Sequence, residues 1–92
     1  MWYYRAEGDK RKFGNIKYAR QAAIDMFPYW SDMGIHNPEI AIYEGNMVGE
    51  RKVGTVKKGP GYPIYVTKDG TWRLSKSGDA RKVKKDPAPF GL

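Results

Sequence analysis

The sequence predicts an α+β fold in which one amphipathic helix packs on an antiparallel β-meander, preceded by an N-terminal strand or hairpin and followed by a flexible C-terminal tail. Three observations carry this. Apolar residues recur at helical spacing from Ile16 to Phe27; beyond Pro38 the period changes to two; and turn residues then punctuate the chain at short intervals. With 92 residues the chain holds one domain. The reading assigns 1–76 to that domain and 77–92 to the tail.

Trp2-Tyr3-Tyr4-Arg5-Ala6 is rich in strand formers and stops at Glu7-Gly8-Asp9. Lys10 to Phe13 then returns as the second strand of a hairpin. Asn15 is placed to cap a helix, because its side chain can accept from an unpaired amide of the first turn. At 100° per residue Ile16, Ala19, Ala22, Ala23, Met26 and Phe27 share one face, with Lys17, Gln21 and Asp25 opposite and Ile24 off the pattern. Pro28 ends this helix near Phe27, since its ring collides with the carbonyl four residues back. A connection follows through Pro38, with room for one extra turn around Ser31.

Four strands complete the meander: Glu39 to Glu44, with Ile40 and Ile42 on the core face; Lys52 to Lys57; Tyr62 to Thr67; and Thr71 to Ser75. The last hairpin is read with Lys68-Asp69-Gly70 as a three-residue loop and Gly70 in the left-handed position. That register sets Thr67 opposite Thr71 and Val66 opposite Trp72. It turns Ile64, Val66, Trp72 and Leu74 inward and Tyr65 and Arg73 outward. From Ser77 onward too little is apolar to offset the entropy of ordering the chain.

Cys is absent, which excludes disulfides and thiolate metal sites and suits a reducing cytoplasm. No stretch approaches the ~18 apolar residues of a membrane span, and no secretory leader is expected. Net charge is +7, all of it from the C-terminal half: residues 1–44 carry six basic and six acidic side chains, residues 45–92 eleven and four. Such a one-sided field attracts polyanions, although surplus lysine also serves solubility alone.

Catalytic chemistry finds little support. The single histidine, His36, lies in a connection without a nucleophile turn, and Asp32, His36 and Glu39 are separated by Gly34 and Pro38. Gly45-Asn46-Met47-Val48-Gly49 lacks the Lys-Ser/Thr pair and following helix of a phosphate loop, so it reads as a turn. No enzyme activity, cofactor or metal is expected. Aromatic and basic residues together point instead to nucleic acid, whose bases stack on a sheet face while cations follow the phosphates. The candidates are Tyr43, Tyr65 and Arg73 for stacking, with Lys57, Lys58, Arg81, Lys82, Lys84 and Lys85 for phosphate contact. Tyr and Arg are equally ordinary on the solvent face of a strand. The alternative partner is an acidic protein surface.

From Phe13-Gly14-Asn15 through the Ala-rich helix to Ile40-Ala41-Ile42-Tyr43-Glu44-Gly45 and Lys52-Val53-Gly54-Thr55-Val56, the chain resembles small uncharacterised proteins of bacteriophages and prophages. The resemblance spans about residues 1–76 and transfers no functional residue. It implies a small protein that binds and modulates a host protein. Val53 to Gly59 is similar to part of the small β-barrel modules of RNA-binding ribosomal proteins, without their full motif. A helix ahead of the sheet is similar to double-stranded RNA-binding domains, whose basic C-terminal helix this sequence lacks.

Overall fold

A computed structural model describes residues 2–82. Its elements are β1 (Tyr3–Ala6), α1 (Ile16–Asp25), α2 (Phe27–Asp32), β2 (Glu39–Gly45), β3 (Glu50–Lys58), β4 (Pro63–Thr67), β5 (Gly70–Leu74) and β6 (Ala80–Lys82). The strands form one antiparallel sheet in chain order, β1 through β6. The α+β meander is as expected; the expected N-terminal strand, β1, joins it beside β2, and one further strand, β6, extends the other side.

Asn15 caps α1: its Oδ1 accepts from the Lys17 amide at 2.9 Å. The helix stops at Asp25 and the chain turns directly into α2. Pro28 falls in the first turn of α2, where a missing N–H removes no helical hydrogen bond. Ala19, Ala22 and Ala23 are buried, and their small side chains bring α1 close to the sheet. With Ala6, Ile40, Ile42, Val56, Tyr65 and Leu74 they form one core on one face of the sheet. Ala23→Asp places an unpaired charge in this core and is expected to destabilise the fold by about 3–5 kcal/mol, measured by chemical denaturation. Wild-type stability in that variant would overturn the placement of α1.

The N-terminal hairpin is reduced to one bridge. Tyr4 and Phe13 exchange backbone bonds of 2.7 and 2.8 Å, while β1 takes β2 as its ladder partner. Lys17 and Gln21 are half-buried rather than free, because the β5–β6 connection lies against them. Lys17 Nζ stands 3.3 Å from Asp79.

Two expectations need correction. The β4–β5 hairpin has a two-residue Lys68-Asp69 loop, and Thr67 pairs with Gly70, Val66 with Thr71, Tyr65 with Trp72 and Ile64 with Arg73. This one-residue slip turns Tyr65 inward and sends Ile64 and Val66 to the opposite face. The second concerns the tail. Residues 80–82 are strand β6, paired with β5 through Trp72–Lys82, Arg73–Arg81 and Leu74–Ala80. The remainder of the expected tail, 83–92, lies outside the described residues. β6 forms because Gly78 carries the chain back toward the sheet: its φ of +92° suits glycine, and its carbonyl accepts from Arg20 Nε at 2.9 Å.

Candidate nucleic-acid interface

Among the described residues both helices lie on one face of the sheet, leaving the other face without a helical cover. The register places a row of side chains across this outer face: Glu39 on β2, Lys57 on β3, Ile64 on β4, Arg73 on β5 and Arg81 on β6. Neighbours in such a row are about 4.8 Å apart along the hydrogen-bonding direction. The next row, Ala41, Thr55, Val66 and Thr71, is small and uncharged. Beyond it Arg5 pairs with Tyr43, and Tyr43 with Lys52.

The two ends of the face differ in electrostatics. Near β1 the charges are neutralised. Glu50 accepts from Arg5 Nε and Nη2 at 2.9 and 2.8 Å and from the Tyr3 hydroxyl at 2.7 Å. The guanidinium of Arg5, then the Tyr3 hydroxyl, pull the Glu50 carboxyl down to about 2. The guanidinium of Arg5 also lies 5.1 Å from the Tyr43 ring centroid. Near β6 the charges are not neutralised. Arg73 and Arg81 are exposed and directly opposite, and among the described residues neither has a carboxylate within ion-pair distance. Like charges facing each other across a ladder are destabilising, so this pair is a local cost of the fold. Arg73 also lies 4.3 Å from the centroid of Tyr62, at the entrance to β4. Tyr62, Arg73, Lys76 and Arg81 border an open groove of about 720 Å³, whose one acid, Asp79, is engaged by Lys17.

The expected site residues therefore separate. Arg73 and Arg81 come together, with Lys57 in the same row, beside Glu39 at 3.9 Å. Tyr43 shares the face but lies half-buried beneath Arg5. Tyr65 is withdrawn from the site: its ring is buried on the helix side over Gly54, with Arg20 5.2 Å from its centroid. Burial raises the Tyr65 hydroxyl above the ordinary tyrosine value and lowers Arg20 below the ordinary arginine value. Lys58 alternates with Lys57 and so belongs to the helix side, close to Phe27. Lys82 is also on the helix side, its ammonium 5.4 Å from the Trp72 centroid. Lys84 and Lys85 lie outside the described residues.

Sequence reasoning missed Tyr62 as a site residue: it reads Tyr62 only as the start of a strand, whereas β4 begins at Pro63 and Tyr62 lies beside Arg73. The pairing of Arg73 with Arg81 was beyond it as well, since it required β6. Among the described residues no three His, Asp or Glu side chains cluster as a metal set, and no helix is long and apolar enough to cross a membrane. Comparison with protein-family models, curated proteins and solved structures finds no match, so the side chains alone carry the functional argument.

Proposed function

We propose that this is a non-enzymatic accessory protein that binds single-stranded nucleic acid on the outer face of its sheet. The observation that carries the reading is the Arg73–Arg81 pair: two exposed guanidinium groups directly opposite, without a carboxylate partner among the described residues, beside an aromatic ring. The fold bears a repulsion there that a bound phosphate relieves. Arg presents a planar donor fork suited to phosphate oxygens, and Arg73 stacked on Tyr62 offers a flat surface to a base. Lys57, paired with Glu39 and separated from Arg73 by Ile64, adds a further cation to the face, while the small residues of the next row leave space for the strand.

A duplex fits less well. No helix of the described residues lies on this face to enter a groove, whereas a sheet face with aromatic and basic side chains suits unpaired bases. The test is a titration of labelled oligodeoxythymidine, single-stranded RNA and duplex DNA at two salt concentrations. Arg73→Glu with Arg81→Glu is expected to weaken single-strand binding at least tenfold. Its log–log salt slope should flatten by about 0.7 for each phosphate that is no longer neutralised. Tyr62→Ala should cost roughly 1–3 kcal/mol with little change in slope, as for removal of one stacked base. Binding that appears only at very low salt and ignores all three side chains would overturn the reading.

A further inference from the structure

The other end of β3 carries a feature that nucleic-acid binding does not use. Pairing with β4 covers only Thr55 to Lys58, because the β4–β5 hairpin turns back at Lys68-Asp69. From Glu50 to Gly54, β3 pairs with β2 alone. Among the described residues no other backbone group bonds to this stretch. Among the described residues the β2–β3 hairpin thus projects past its neighbour and leaves an open strand edge of about 17 Å, at ~3.4 Å per residue.

This edge borders a notch of about 610 Å³ whose walls include Arg51, Lys52, Val53, Val66, Lys68 and Trp72. Val53 and Trp72 both pack partly against the helix-side core, while Val66 belongs to the outer face. An inserted strand would therefore meet apolar groups on both sides of the sheet, as its alternating side chains require. The charge around the notch is one-sided. Arg51 is engaged by Glu44 at 3.0 Å, but among the described residues Lys52 and Lys68 have no carboxylate within ion-pair distance, and Asp69 is the single acid in the lining.

We propose that this edge binds an extended acidic peptide, which adds to β3 as a strand collinear with β4. The main chain of residues 50–54 supplies the ladder, Lys52 and Lys68 take the acidic side chains, and Val53, Val66 and Trp72 take apolar ones. Unpaired donors and acceptors along an open strand are a template for another peptide backbone. A sugar-phosphate chain has no amide N–H to return the ladder, and a second copy of a chain with net charge +7 is electrostatically disfavoured. The proposal is independent of the nucleic-acid site, which lies at the far end of β3.

The probe is a pool of eight-residue peptides alternating Asp or Glu with Val or Ile, titrated into the ¹⁵N-labelled full chain. Amide exchange across Arg51 to Gly54 is expected to slow at least tenfold. N-methylation of alternate peptide amides should weaken binding at least tenfold, as should the surface variant Lys52→Glu with Lys68→Glu, whose circular dichroism should match the wild type. Arg73→Glu should leave peptide binding unchanged, which separates this site from the nucleic-acid face. No protection of 51–54 at millimolar peptide would overturn the proposal, as would equal binding of the N-methylated pool. Protection of the same edge by oligodeoxythymidine that displaces the peptides would reassign the notch to nucleic acid. Protection that rises with protein concentration in the absence of peptide would reassign it to self-association.

Discussion

Gly54→Ala is expected to destabilise the domain by about 1–3 kcal/mol, although alanine is ordinarily the better residue inside a strand. Gly54 is buried on β3, opposite Ile42 of β2. A Cβ built there would overlap the Tyr65 ring, with Cε1 and the hydroxyl oxygen both at 2.5 Å. The ring has little room to retreat. Arg20 stands 5.2 Å from its centroid, and the Trp72 ring lies at 6.3 Å. Relief by rotation would have to displace α1 or the β4–β5 hairpin. For a domain of this size each kcal/mol lowers the melting temperature by roughly 4–8 °C, which thermal unfolding resolves. A companion measurement separates steric overlap from a backbone effect. In Tyr65→Leu, which shortens the side chain, the added Gly54→Ala change should cost much less, giving a coupling of at least about 1 kcal/mol. Strict additivity of the two changes would show that Tyr65 does not occupy the space above Gly54.

Gly78→Ala is expected to act more locally and to reach the outer face. The residue has a φ of +92°, and an added Cβ would overlap the Lys17 carbonyl oxygen and come within 3.0 Å of the Gln21 amide nitrogen. Backbone strain contributes roughly 1–2 kcal/mol and the clash with a helix backbone adds to it. The cheapest escape is for residues 75–82 to leave the helix, breaking the Arg20–Gly78 hydrogen bond and the short β5–β6 ladder. The expected result is loss of amide protection at the β5–β6 ladder while β2 to β4 keep theirs. Single-strand binding should weaken along with it, because Arg81 is no longer held opposite Arg73. Global unfolding in place of local release would show that β6 is integral to the core. Release of β6 with unchanged binding would place the nucleic-acid site elsewhere.

Much of this architecture is legible from local chemistry. The spacing from Ile16 onward and the Asn15 cap define α1, because a helix is built from interactions within a few residues; its end at Asp25 comes before Pro28, which starts α2 instead. The alternation of Ile40 and Ile42, the glycine-rich bends and the charge surplus of the C-terminal half are local in the same sense. So is the placement of Tyr43 and Arg73 on the outer face, since each follows from parity along its own strand.

Tertiary structure alone decided the register of the last hairpin. Ile64 and Val66 alternate with Tyr65, and Trp72 and Leu74 with Arg73, so the β4 sequence supports either face as the core. The choice falls to a residue on another strand. Gly54 has no side chain, and the space above it admits the Tyr65 ring, whose burial beneath Arg20 removes more apolar surface from water than Val66 would in its place. Strand β6 was hidden for a related reason. Ala80-Arg81-Lys82 has no apolar pattern of its own and is held by its ladder to β5 and by Arg20 reaching the Gly78 carbonyl from 58 residues away. The sequence by itself determined which residues are charged and where α1 and strands β1 to β5 run. The opposition of Arg73 to Arg81, and the open edge of β3, depend on where strands end against their neighbours, and only long-range packing sets that.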